Sequence, residues 1–327
     1  MNKPTPVYIG IDVAKAKLQV CTPHFNKEIP NTHKEIAACL AKIKGQTGPD
    51  ACPHVCCEAT AAYTNTLRDA CDKAGLDLSI LNPARIRKYA QAMGELAKTD
   101  PIDAAIIRDY AQAKKPLPTP PPTPAERDLR ALITQRDALV KCTVQIVGTL
   151  EQLPGVKAPC LHAAHRQLDA QIKRLDAQIL ARAAQDEALW GLASELDAIK
   201  GVALASAIRI IVLTPELGFL GRAGCAKLAG LAPFTRESGK WKGQSKIGGG
   251  RAEVRRTLYL CCLSGIQHNP PLREVYQRLR QRGKTGKMAM VAAMRKLFSH
   301  MNHLARQWRA RQAAADGASD ISAQTDA

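Results

Sequence analysis

Aromatic side chains are scarce in this chain, with three Trp, six Tyr and four Phe among 327 residues. So few rings leave little scope for gripping nucleic acid by base stacking, a mode that needs aromatic platforms. Long apolar runs are missing as well. No window approaches the roughly 20 consecutive apolar residues of a membrane span, and "MNKPTPVYIGID" sets no apolar stretch behind its lysine as a secretory leader would. The expectation is a cytoplasmic protein, nucleoid-associated, with no membrane partner. Eleven cysteines are present, scattered and without a Cys-x-x-Cys pair, which argues against a disulfide framework. Scattered through apolar stretches, they read as reduced core thiols.

Acidic residues are nearly absent from one long block. Residues 200–311 hold 22 Lys and Arg against four Asp and Glu, a net of +18, equal to the formal charge of the whole chain. Residues 1–113 carry +2, residues 114–199 carry +1, and the tail from 312 carries −3. Solubility alone does not call for such asymmetry. A polyanionic partner does, because each neutralised phosphate releases condensed counterions.

A chain of this length exceeds one average domain, and its composition marks where it divides. Residues 1–113 alternate strand and helix signals, an α/β pattern. "PVYIGIDV" and "AKLQVCT" predict two strands, and "ACPHVCCEAT" a third ending at Glu58. A helix over 62–74 stops at Gly75, "LDLSILN" is a further strand, and Asn82 with Pro83 opens a helix bearing Arg85, Arg87 and Lys88. Residues 114–124, "KKPLPTPPPTP", form a stiff linker. Over 125–195 apolar residues recur at helical spacing, broken by Pro154 and Gly155, which predicts a helical hairpin or coiled coil suited either to packing on its own chain or to subunit pairing. Residues 196–311 read as a mainly α-helical basic domain. The turn at Gly201 faintly matches a helix-hairpin-helix whose amides meet a phosphate, and "RESGKWKGQSKIGGGRAEVRR" is a loop leading into a helix near Ala252. Residues 312–327 are small and polar and predict a disordered tail.

Four carboxylates carry the chemistry. Asp12 interrupts a buried strand and Glu58 ends another. Asp100 and Asp103 open a helix in "KTDPIDA", where Asp100 suits the N-cap, Pro101 the first turn and Asp103 the helix dipole. Capping alone explains the last pair. One sheet can also bring all four together, where mutual repulsion demands cations, and two Mg²⁺ ions that clamp a phosphodiester are the usual answer. The same strand-Asp-turn-strand opening starts actin-like kinases, but no second glycine-rich phosphate loop follows here.

"YIGIDVAKAKLQV", "CCEATAAY", "LNPARIRKYAQAMGELAKTDPIDAAIIRDYA", "LAGLAPFTRESG" and "RRTLYLCCLSGIQHNP" resemble the IS110 family of insertion-sequence transposases, related to pilin-gene invertases, over about residues 7–308. The resemblance implies a RuvC-like, RNase-H-fold domain, a coiled-coil connector and a C-terminal domain with a nucleophilic serine. It places the carboxylate tetrad on Asp12, Glu58, Asp100 and Asp103 and the serine on Ser238, with Ser245 a second candidate because the following loop departs from the family pattern. It also implies a structured guide RNA that pairs with donor and target DNA, and a homodimer or tetramer. Arg236, Lys240, Lys242, Lys246, Arg251, Arg255 and Arg256, with Arg85, Arg87 and Lys88, are then the expected contacts to nucleic-acid backbone. Two alternatives remain on these residues: a metal-dependent junction resolvase that uses water, and a binding protein that never cuts.

Overall fold

The computed structural model describes residues 5–48, 51–60, 63–234, 237, 238, 241, 242 and 245–325. Two compact units divide between Pro121 and Pro122, inside the proline-rich segment.

In the first unit, β1 (Thr5–Val13), β2 (Lys17–Cys21), β3 (Asn26–Pro30), β4 (Ala51–Glu58) and β5 (Asp77–Leu81) form one sheet in the order β3-β2-β1-β4-β5. The β1–β2 and β2–β3 pairs are antiparallel, while β1–β4 and β4–β5 are parallel. Strand alternation sorts the side chains between two faces. Ile9, Ile11, Val13, Val55 and Cys57 pack with Ile36 and Leu40 of α1 (His33–Gln46) and Leu67 of α2 (Thr64–Ala74). Tyr8 and Cys56 face the other way, against Ile86 of α3 (Pro83–Ala92) and Ile107 and Ala111 of α4 (Asp100–Lys114). The α/β expectation therefore holds. Strand β3 was not legible, because "NKEIP" buries Ile29 alone and lacks the alternating apolar signal of a half-buried strand.

The proline-rich segment is not a free spacer throughout. The Thr119 N–H donates to Leu78 O at 2.7 Å, Ile80 N–H donates to Thr119 Oγ1 at 3.0 Å, and the Ser79 hydroxyl donates to Leu117 O at 2.8 Å. It covers the free edge of β5, a position that tolerates proline.

The second unit is helical: α5 (Pro124–Glu151), α6 (Pro159–Ala183), α7 (Glu187–Asp197), α8 (Leu204–Leu213), α9 (Arg222–Leu228), α10 (Ala252–His268), α11 (Pro270–Gln281) and α12 (Gly286–Thr325). Between α9 and α10 lie two small antiparallel pairs, β6 (Pro233–Phe234) with β9 (Lys246–Ile247), and β7 (Glu237–Ser238) with β8 (Trp241–Lys242). Thr123 and Glu126 close a capping box at the start of α5. Helices α5 and α6 form the expected hairpin. At its base Leu129, Ile133, Ile179 and Ala183 join Leu196, Ile208, Leu258 and Phe298 in the core, whereas Val144, Val147 and Val156 are exposed farther out. Cys142 and Cys160 are exposed on this hairpin too, so they are not core thiols.

Two further readings change. Gly201 has φ of +99°, and a Cβ there would come within 2.5 Å of Gly265 Cα, so this turn packs tightly on α10. That helix contact by itself requires the glycine from which a phosphate-binding turn is expected. Helix α12 also continues to Thr325, past the point where a disordered tail is predicted; alanine-rich sequence favours helix strongly enough to prolong it. Among the described residues, no helix is long and apolar enough to cross a membrane.

Candidate active site

Register brings the first two carboxylates together. Parallel pairing of β1 with β4 runs to Ile11↔Cys57, and the next residues along these neighbouring strands are Asp12 and Glu58. By alternation both belong to the face shared by Tyr8 and Cys56, the face that α4 covers. Gly10 makes this cover close. A Cβ at Gly10 would overlap Ala104 O and lie 2.5 Å from Arg108 N, so only glycine lets the α4 backbone rest on β1. That contact carries the first turn of α4, with Asp100 and Asp103, to the strand ends. Asn26 Nδ2 donates to Pro101 O at 2.9 Å, and Lys17 Nζ lies 2.9 Å from Asp100 Oδ2 and 2.6 Å from Glu28 Oε2.

Electrostatics registers the same proximity. Burial pushes the Glu58 carboxyl up to about 7, with the charges of Asp12 and Asp103 adding to the rise and Lys98 opposing it. Burial, then Asp103 and Asp100, raise Asp12 above the usual carboxylate range against a Val13 backbone hydrogen bond and Lys98. Asp103 is raised by burial and, less, by Asp100, while Lys98 and Arg87 pull it down. Burial leads each shift, and the neighbouring carboxylates add to it.

Asp100 differs from its expected role. Thr99 occupies the N-cap position and Asp100 is the first helical residue, its carboxylate paired with Lys17 instead of capping amides. The oxygen donors are of the type Mg²⁺ prefers. Among the described residues, however, no three His, Cys, Asp or Glu side chains converge closely enough to hold a metal ion already. Lys98 is the participant that sequence reasoning missed. It lies inside the quoted "KTDPIDA" and acts on three of the four acids, but a lone lysine in a loop carries no pattern of its own.

Ser238 lies on β7, paired with Trp241, in the hairpin whose stem is the β6–β9 pair. Ser245 is exposed just before β9. Arg236 and Lys240 lie outside the described residues, and of Lys242 only its place on β8 is described. Arg85, Arg87, Lys88, Lys246 and Arg256 are exposed, as backbone contacts require. Arg251 and Arg255 have protein partners instead. Arg251 forms a bidentate pair with Glu216 at 2.6 and 2.7 Å, and Arg255 Nη1 donates to Ala229 O and Gly249 O at 3.0 and 2.7 Å.

Comparison with known proteins fits this division. A DEDD transposase model of the IS110 type matches residues 9–153, and a model described as a transposase of the IS116/IS110/IS902 family matches residues 193–277. The pilin gene-inverting proteins of Moraxella lacunata and Moraxella bovis are each 28% identical to the chain over 310 residues, covering 92% of it and 96% of the relative. An uncharacterised protein of the IS110 insertion element from Streptomyces coelicolor is 32% identical over 167 residues, 50% of the chain and 39% of that protein. With one model over the carboxylate unit and the other over the basic unit, the chain belongs to the IS110 family of transposases.

Proposed function

We propose that the protein is a DNA recombinase that cuts and rejoins strands through a covalent serine–DNA intermediate formed by Ser238. The observation that carries this reading is the meeting of Asp12 and Glu58 on adjacent strand ends with Asp103 and Asp100 of α4 over Gly10. The strand order and the change from antiparallel to parallel pairing support a RuvC-like, RNase-H-type unit. Asp12, Glu58, Asp100 and Asp103 would hold Mg²⁺, which supplies positive charge at the scissile phosphate.

The Ser238 oxygen forms a P–O bond as the P–O bond to the departing sugar breaks, and the serine proton ends on that sugar oxygen. Attack by a second sugar hydroxyl reverses these changes and rejoins the strand with no external energy source, because the phosphoester is conserved throughout. Arg236, Lys240 and Lys242 hold the strand, while Lys246, Arg256, Arg85, Arg87 and Lys88 grip backbone. Sequence would be read by a structured guide RNA pairing with donor and target DNA, in keeping with a basic block that is poor in aromatics. Carboxylates and serine belong to different units of the chain. The exposed Val144 and Val147 of α5 support assembly as a dimer or tetramer.

The test is to incubate protein, guide RNA and labelled DNA, denature, and look for protein that retains label. Ser238→Ala should abolish the adduct and Ser245→Ala retain it; the reverse moves the nucleophile. Cleavage without adduct is the result expected of a water-using resolvase, and binding without cleavage that of a non-catalytic protein.

A further inference from the structure

Where the chain leaves α9 for the serine hairpin and where it returns to α10, the two stems cross almost in contact. Gly230 and Gly250 meet at the crossing, with φ of +65° and +62°. A Cβ on Gly230 would lie 2.8 Å from Gly249 C, and one on Gly250 would lie 2.5 Å from Leu228 O and 2.7 Å from Gly230 Cα. The Arg251 N–H donates to Leu228 O at 2.7 Å, a backbone bond from one stem to the other. Arg255, one turn into α10, places Nη1 between the carbonyls of Ala229 on the outgoing stem and Gly249 on the returning one. Arg251 then ties the crossing to the helical body through Glu216 and through Leu213 O, 3.0 Å from its Nη1.

The carboxylate partner marks Arg251 as structural, while Arg255 is held by the two backbone carbonyls. A guanidinium already forked onto a carboxylate has satisfied the geometry with which it would take a phosphate. Arg256, next in sequence, is exposed and has neither kind of partner among the described residues.

We infer that Arg255, with Arg251 anchored on Glu216, is a positioning residue: it clasps the two stems of the hairpin that bears Ser238 and does not contact nucleic acid. Among the described residues, strands β6 to β9 are two residues each and give little pairing to hold the serine, so its aim is set at the base. The inference rests on Ser238 being the nucleophile, and its test separates the two.

Three variants are compared with the full-length protein loaded with guide RNA. Arg255→Ala should slow adduct formation by about 10²-fold, the cost typical of a displaced reacting group, with DNA affinity and its salt dependence unchanged. Arg256→Ala should instead reduce the slope of log affinity against log salt by about one, as losing one phosphate contact does. Arg255→Lys, which can still donate to both carbonyls, should recover much of the rate. If Arg255→Ala does not fold, Glu216→Gln loosens the same clasp through Arg251 and should slow the adduct several-fold at constant slope. Hydrogen exchange over residues 228–251 supplies a readout free of chemistry, and it should quicken in Arg255→Ala. A slope reduced by Arg255→Ala as by Arg256→Ala, or an undisturbed adduct rate with unchanged exchange, overturns the clasp. A wild-type adduct that survives Ser238→Ala overturns the nucleophile alone, since exchange and salt slope still report on the clasp.

Discussion

The two candidate centres hold their groups by opposite means. In the first unit the carboxylates sit on the ends of long neighbouring strands and on the first turn of a 15-residue helix, so register and one glycine contact define their places. In the second, Ser238 lies on a two-residue strand whose base is clasped by arginines and glycines. Charge divides likewise: the first site accumulates negative groups that raise one another, and the second is embedded in a basic block where one of four acids, Glu216, is paired with Arg251. The contrast teaches that a cluster of acids can be placed by rigid secondary structure, with Lys17, Lys98 and Arg87 offsetting part of its charge. On the proposed function, a serine on a short hairpin must import its rigidity from the body beneath.

Breaking the carboxylate side should have the largest effect. Asp12→Asn or Asp103→Asn is expected to reduce strand cleavage by at least about 10²-fold, with RNA and DNA binding preserved in a filter-binding assay. Full cleavage in chelator would remove metal from the comparison altogether. Gly10→Ala attacks the same site through packing. Its methyl group meets helix backbone that cannot rotate away, and urea denaturation should show a loss of about 1–3 kcal/mol or more.

A pH series sharpens the electrostatic half. Glu58 ionises in the unfolded chain at the ordinary 4.5 and in the folded protein at about 7, so between these values the unfolded state binds fewer protons. The contribution of Glu58 to stability is therefore fully present below 4.5 and is lost as pH rises through about 7. Mg²⁺ favours the ionised form, so the melting-temperature gain on adding Mg²⁺ should be small at pH 5.5 and grow through pH 7. Glu58→Gln should flatten both trends in a thermal melt. The smallest effect belongs to Lys17, whose ammonium pairs with Asp100 and Glu28. Lys17→Met should raise Mg²⁺ affinity a few-fold by titration calorimetry; a fall would make Lys17 a support of the site and not a competitor.

Much of the first unit could be read from residue patterns. Gly75 stops α2 in the left-handed conformation, and the Asn82 side chain caps α3 by accepting from Ala84 N–H at 2.9 Å, both as their residue types predict. Strand β3 escaped because its exposed, charged residues leave an edge strand without periodicity. Arg251 and Arg255 were grouped with the backbone contacts because charge is visible in a sequence and its partners are not. Glu216 lies 35 residues from Arg251, and nothing local links them.

What the amino-acid sequence determined by itself is the inventory and its local order: an α/β unit, a proline break, a helical hairpin, a basic block, and four acids at strand ends and a helix start. These depend on near-neighbour propensities and periodicity, which need no distant contact. Tertiary structure decided which charges face one another. Strand register set Asp12 beside Glu58, a missing Cβ at Gly10 let α4 descend on them, and the crossing at Gly230 and Gly250 gave Arg255 two carbonyls to bind. Steric fit and Coulomb interaction act through space over a few ångströms, whatever the separation along the chain.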